Sequence, residues 1–93
     1  MIVGVLKVSL LLRESHSLKD KRRVLRAIKD RVRSRMNVAI AEVASQDLHQ
    51  RADLAAVTVS SSRAHAEQVL GDVLKVIDRA PAAERFATDL EYL

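Results

Sequence analysis

Cysteine and tryptophan are absent from this 93-residue chain, and the aromatic rings are limited to Phe86 and Tyr92. Without cysteine there is neither a disulfide framework nor a thiolate metal site, and a cytoplasmic location is the expectation. With so few rings, the chain lacks the platform on which sheet-based RNA readers stack bases, so sequence-specific single-strand reading is not expected. Glycine occurs only at Gly4 and Gly71, which excludes a phosphate-cradling loop. No GxSxG, Walker-type or HExxH pattern is present, and no residue set looks catalytic, so the chain reads as a non-enzyme. His16, His49 and His65 lie in separate elements with no second ligand at metal-binding spacing, and neither metal nor cofactor is expected. The apolar start, residues 1–12, is interrupted by Lys7 and lacks a basic n-region and a cleavage site. It reads as a buried strand, not a signal peptide or membrane span.

What the chain does have is charge of one sign in one place. Residues 18–36 (LKDKRRVLRAIKDRVRSRM) hold nine Lys and Arg against Asp20 and Asp30, a net of +7, whereas the whole chain carries +4. Everything outside this segment is therefore mildly acidic. Such a polarised surface attracts polyanions.

The length sets one domain, residues 1–93, with no room for a second core. Residues 2–12 are rich in Val, Ile and Leu and predict a first strand with Ile2, Leu6, Val8, Leu10 and Leu12 on one apolar face. The odd side (Val3, Val5, Ser9, Leu11) is only half polar, so both faces are expected to be covered. Ser17, with Asp20 three residues on, predicts a helix N-cap. In the helix that follows, Val24, Leu25, Ile28, Val32 and Met36 fall on one stripe, and Asn37 suits a left-handed terminus. Strands are predicted over 38–44 and 54–60, joined by the polar stretch SQDLHQRAD. A second helix over 63–79 has Ser61 or Ser62 as its cap and the stripe Ala66, Val69, Leu70, Val73, Val76 and Ile77. Pro81 stops it, and residues 85–93 form a last strand. The order β-α-β-β-α-β predicts an α+β, ferredoxin-like sandwich, two helices on one face of a four-stranded antiparallel sheet.

On a helical wheel, Lys19, Arg22, Arg26, Lys29 and Arg33 gather along one edge of the apolar stripe, a ridge about 21 Å long at 1.5 Å per residue. Solvated helix faces ordinarily alternate sign and gain from i,i+4 pairs, whereas this ridge contains no acid. It is thus read as a polyanion-binding edge in preference to a solubility device. Lys21 falls inside the apolar stripe. Its stem is expected to cover the sheet edge while the ammonium snorkels out, with a specific contact to the loop or ligand as the other option. Ser60, Ser61, Ser62 and Arg63 resemble a phosphate-binding helix start, but capping explains the serines. Glu42 reads as an edge or interface charge, not a general base.

The stretches SLKDKRRVL (17–25), AEV (41–43), QDLHQRADLA (46–55) and RFATDLEYL (85–93) together resemble the YlxP-like family of small bacterial proteins, over essentially the whole chain. The resemblance implies a ferredoxin-like fold and genes placed beside those for translation initiation and ribosome maturation. It implies no reaction, substrate or cofactor. Many relatives have a tryptophan in the loop where this chain has Leu48 and His49.

The expectation is a cytoplasmic, non-enzymatic RNA-binding protein, with the ribosome or precursor rRNA as target implied by the resemblance alone. Lys19, Arg22, Arg26, Lys29 and Arg33 would contact phosphates, Lys21 and Arg23 would assist, and Gln50 and Arg51 would add polar contacts from the loop. The alternative is a homodimeric interaction module whose sheets pair through the odd side of the first strand and whose basic helix meets an acidic protein.

Overall fold

Alternation along β1 (Ile2–Leu11) decides which way the chain folds, because its even side chains must all be buried together. Leu6, Val8 and Leu10 on that side are 3% exposed or less, while the odd positions remain half-buried or, at Lys7, exposed. The computed structural model describes residues 1–93, and β1 is followed by α1 (Leu18–Arg35), β2 (Ala39–Ala44), β3 (Arg51–Ser60), α2 (Arg63–Arg79) and β4 (Glu84–Tyr92). The four strands make one antiparallel sheet in the order β2-β3-β1-β4. Both helices lie on the even side of β1, as the order of elements predicted. Leu25, Ile28 and Val32 of α1 join Leu70, Val73, Val76 and Ile77 of α2 over Leu6, Val8 and Leu10 and over Leu54 and Ala56 of β3. The fold is ferredoxin-like α+β, and the other side of its sheet is left uncovered. Neither helix is long and apolar enough to cross a membrane.

Several local expectations are corrected. β3 starts at Arg51, three residues earlier than its apolar pattern suggested, because Arg51 to Asp53 pair in register with Leu11 to Ser9 and extend the ladder along all of β1. The connection from β2 shortens accordingly. α1 ends without a left-handed residue: Met36 is extended and donates its N–H to Val32 O at 2.9 Å, and the chain passes straight into β2. The carbonyl of Asn37 accepts a bond from the Thr58 hydroxyl at 2.8 Å. The one non-glycine residue with positive φ is Ser45, at φ 60. Val69 is half-buried on the flank of α2, and Leu74 packs against the core instead. Tyr92 does pack there, but Phe86 is half exposed.

The two glycines answer to different constraints. A Cβ on Gly4 would sit 2.9 Å from Leu70 Cδ1 and 3.3 Å from Tyr92 Cε1, and Leu70 is fully buried with nowhere to retreat. A Cβ on Gly71 would meet nothing within 4 Å. Gly4→Val should therefore cost about 1–3 kcal/mol by overpacking. Gly71→Ala should stabilise the protein by about 0.5–1 kcal/mol through helix propensity. Ile28→Ala, a large-to-small change in the core, should cost about 2–5 kcal/mol. Urea unfolding of the three variants checks both the signs and the ranking.

Candidate functional site

The first turn of α1 is built to start at one residue. The Ser17 hydroxyl accepts the N–H of Asp20 at 3.0 Å, and the Asp20 carboxylate accepts the N–H of His16 at 3.0 Å. The His16 N–H foremost, aided by the nearby Arg23 charge, holds the Asp20 carboxyl below its ordinary pKa. With the start fixed, the helical period places every later cation. Lys19, Arg22, Arg26 and Arg33 come out exposed and Lys29 half-buried along the flank of α1 that faces β2. Arg22, Arg26, Lys29 and Arg33 line one shallow hollow of about 270 Å³, together with the acids Asp30 and Glu42. Lys19, Arg22, Arg23 and Arg26 line a second hollow of about 400 Å³, with Asp30 as its one acid. Because β2 is an edge strand, nothing of the chain walls the ridge off. Arg33 spends one donor on this edge, giving Nη2 to the Ile40 carbonyl at 2.8 Å.

The ion pairs make the segregation sharper than net charge does. Of the seven basic residues outside α1, Arg13, Arg51, Arg63, Lys75 and Arg85 have an acid within 4.0 Å. Of the nine within α1, only Lys21 does. The remaining eight, all exposed except the half-buried Lys29, have no acid within 4.0 Å. No three His, Asp or Glu side chains converge into a metal-binding group.

Three of the expected contact residues are not part of this surface. Lys21 is 1% exposed, so the snorkelling expectation and a role on RNA are both corrected. Its ammonium donates to the carbonyls of Ser45 (2.9 Å), Arg51 (3.2 Å) and Gln46 (3.3 Å). Its three protons are thereby spent, and Glu42 Oε2 at 2.7 Å is a charge contact without a well-angled hydrogen bond of its own. The contact with the loop, the other reading of Lys21, is what the fold contains. Gln50 is exposed, but its amide is already engaged: Nε2 donates to the carbonyls of Arg13 and Ser15, which the turn before α1 leaves without backbone partners. Arg51 lies on the odd, uncovered side of β3, away from α1. Its guanidinium makes two bonds to the Asp53 carboxylate and sits 5.2 Å above the Phe86 ring.

Two residues that shape this region had weaker signals in the sequence. Glu42 shares the even side of β2 with the buried Ile40, and an acid on an apolar face opposite a lysine in an apolar stripe is a pair that period arithmetic can find. Asp53 collects Arg51, the Ser45 hydroxyl (2.5 Å) and the Ser9 hydroxyl (2.6 Å) from three parts of the chain. These donors, Arg51 first, hold its carboxyl far below the ordinary carboxylate range. No spacing rule brings Ser9, Ser45 and Asp53 together.

Residues 3–90 match the family model described as "Protein of unknown function (DUF503)", and the chain belongs to that family. It is 38% identical over 91 residues to the uncharacterized protein YlxP of Bacillus subtilis (strain 168), covering 98% of this chain and 99% of that one. Among solved structures, the de novo designed protein Foldit4 superposes with a TM-score of 0.57 at 14% identity, over 100% of this chain and 97% of the designed one. At that identity the likeness concerns the fold alone.

Lys21→Met should cost about 3–5 kcal/mol, since it leaves the Glu42 charge and three carbonyls without their partner. Glu42→Gln, which keeps an acceptor and removes the charge, should cost less. Denaturant unfolding of both variants checks the order. Acid should act through Asp53. Its folded pKa lies below the unfolded value of about 3.9, so the folded state binds fewer protons in that window. The stability it contributes is fully present above that value and is lost as pH falls through the folded pKa. Thermal melts should show a shallower acid loss in Asp53→Asn than in the unaltered protein.

Proposed function

We propose that this member of the DUF503 family is a non-enzymatic RNA-binding protein that docks structured RNA along the outer flank of α1. The single observation that supports the reading is the set of eight uncompensated cations on one helix, in a chain that pairs most of its other basic residues. Lys19, Arg22, Arg26, Lys29 and Arg33 would each meet a phosphate, with Arg23 beside them. Four of these six are arginines, whose planar fork suits phosphate oxygens. Duplex RNA exposes a wide, shallow minor groove that proteins recognise by shape, phosphate and ribose contacts, a mode that needs no aromatic ring. The uncovered sheet is poorly equipped for base stacking, since its Phe86 ring already lies under Arg51. A cytoplasmic ribosomal or precursor-rRNA target rests on the family resemblance alone and is the finer part of the proposal.

One observation favours a second reading, in which the partner is an acidic protein. Between α1 and the end of α2 runs a groove of about 280 Å³ with Val24, Ile28, Val76 and Pro81 in its lining, and Arg23, Arg31 and Arg79 also line it. An apolar segment flanked by carboxylates would fit it.

Fluorescence anisotropy with a hairpin RNA at several salt concentrations separates the two. Five neutralised phosphates give a log–log salt slope of about −4.5 with the duplex coefficient and about −3.5 with the single-strand one. Arg22→Ala with Arg26→Ala should flatten that slope by about two units and weaken binding to all sequences alike. Arg13→Ala with Arg63→Ala, two exposed arginines outside α1, should change little. Equal losses from both pairs would reduce the protein to a diffuse cation. No RNA affinity at low salt would replace the RNA reading with the acidic-protein one.

A further inference from the structure

The side of the sheet opposite the helices carries a continuous aliphatic block. Register sets Val3 beside Val59 and Val5 beside Val57, and β2 adds Ala39 next to Val57 and Ala41 next to Ala55. Val59 is 54% exposed, and Val3, Val5 and Val57 are half-buried with no element of the chain above them. We infer that this face is the contact surface for a second copy of the same chain, and that the pair carries its two basic ridges on opposite outer sides.

Four properties of the face select that occupant. Its side chains are short and flat, with no donor, acceptor or free ring in the block, so it offers nothing to a nucleic acid or a polar ligand. Valines and alanines of this kind interdigitate well when sheets stack about 10 Å apart, as inner faces of sandwiches do. Its area is sufficient. Counted with the polar residues around the block, the whole face has strands of 10, 6, 10 and 9 residues, which at about 3.4 Å per residue and about 4.8 Å between strands give a footprint of about 570 Å² per copy. Two such footprints exceed the roughly 1,000 Å² that a specific interface needs. Its charge is also compatible with a twin. Arg51 is already paired with Asp53, but Lys7 and Asp89 are register neighbours that make no ion pair within the chain, and Glu91 stands beside Val5 on β4. Both signs are therefore present at the rim of each block, and a two-fold operation brings them to the partner. The cations of α1 would repel a copy, but they lie beyond the sheet on the far side. Pairing through the sheets thus keeps the two α1 helices apart by roughly three layers, about 30 Å.

The test of the pairing needs no RNA. Light scattering at micromolar concentration in moderate salt should give twice the chain mass of 10.3 kDa. Val57→Glu with Val59→Glu should give the single mass with an unchanged far-UV circular dichroism spectrum. Should that double variant fail to fold, Val59→Glu alone, at a position already half exposed, should still weaken the pair. A monomeric unaltered protein overturns the inference. So does a dimer that survives in folded charge variants, which would place the contact at a strand edge. Arg22→Ala with Arg26→Ala should leave the mass doubled. The opposed ridges rest in addition on the RNA reading: the dimer should take up two hairpin RNAs, and the Val59→Glu monomer one, with the same salt slope per site. One hairpin per dimer overturns the opposed arrangement. Absence of any RNA binding with the mass still doubled condemns the RNA reading and leaves the pairing standing.

Discussion

The structure hangs on one buried ammonium. Lys21 Nζ lies where the start of α1, the even side of β2, the loop after β2 and the first residue of β3 converge, and it touches an oxygen from each of the last three. A lysine cannot be drawn from water cheaply unless its donors and its charge are met, and here three carbonyls and Glu42 meet them. That requirement fixes how α1 lies against the sheet. If the helix rotated by a single residue's angle, the ammonium would leave its cage and the Leu25, Ile28 and Val32 stripe would leave the core together. The outward direction of Arg22, Arg26, Lys29 and Arg33 is thus set by an inward-facing residue of the same helix and the same charge.

Acidic residues are distributed to sharpen the contrast. Six of the twelve acids are committed to ion pairs, and five of those six pairs involve bases outside α1. The sixth neutralises Lys21, the only α1 cation that faces inward. The carboxylate of Asp20 is engaged with the N–H of His16 at the helix start, which leaves Asp30 as the remaining acid of the helix. Ion-pair chemistry is used where it closes the fold, as Asp53 does between Ser9, Ser45 and Arg51, and is withheld from the ridge.

The architecture was legible in the sequence because each element carries its own period. β1 alternates, the stripes of α1 and α2 repeat at the helical angle, and Ser17 and Ser62 mark the starts by capping. The ridge could be read for the same reason, since a helix turns spacing directly into direction. What could not be read depended on contacts between distant segments. The wheel placed Lys21 in the apolar stripe, yet whether it snorkels or stays inside depends on where the carbonyls of residues 45, 46 and 51 point, which the left-handed turn at Ser45 and the pairing of Arg51 with Leu11 set. The partners of Gln50 are invisible to spacing rules for the same reason, since the carbonyls it satisfies lie more than thirty residues away. Arg51 was misassigned, since the start of β3 is set by pairing with β1 and not by its own hydrophobicity.

The placement of the ridge also runs against what helix stability alone would favour. The N-terminal end of a helix carries partial positive charge, so acids belong in the first turns and bases in the last. α1 satisfies the rule at its C-terminal end, where Arg33 and Arg35 stand, but sets Lys19, Arg22 and Arg23 near the unfavourable end with Asp20 as the one acid of the first turn. Neighbouring cations on the ridge repel one another as well. Each such misplacement costs a few tenths of a kcal/mol at an exposed site, and together they are tolerable only because burial of the stripe and the Lys21 cage hold the helix in place.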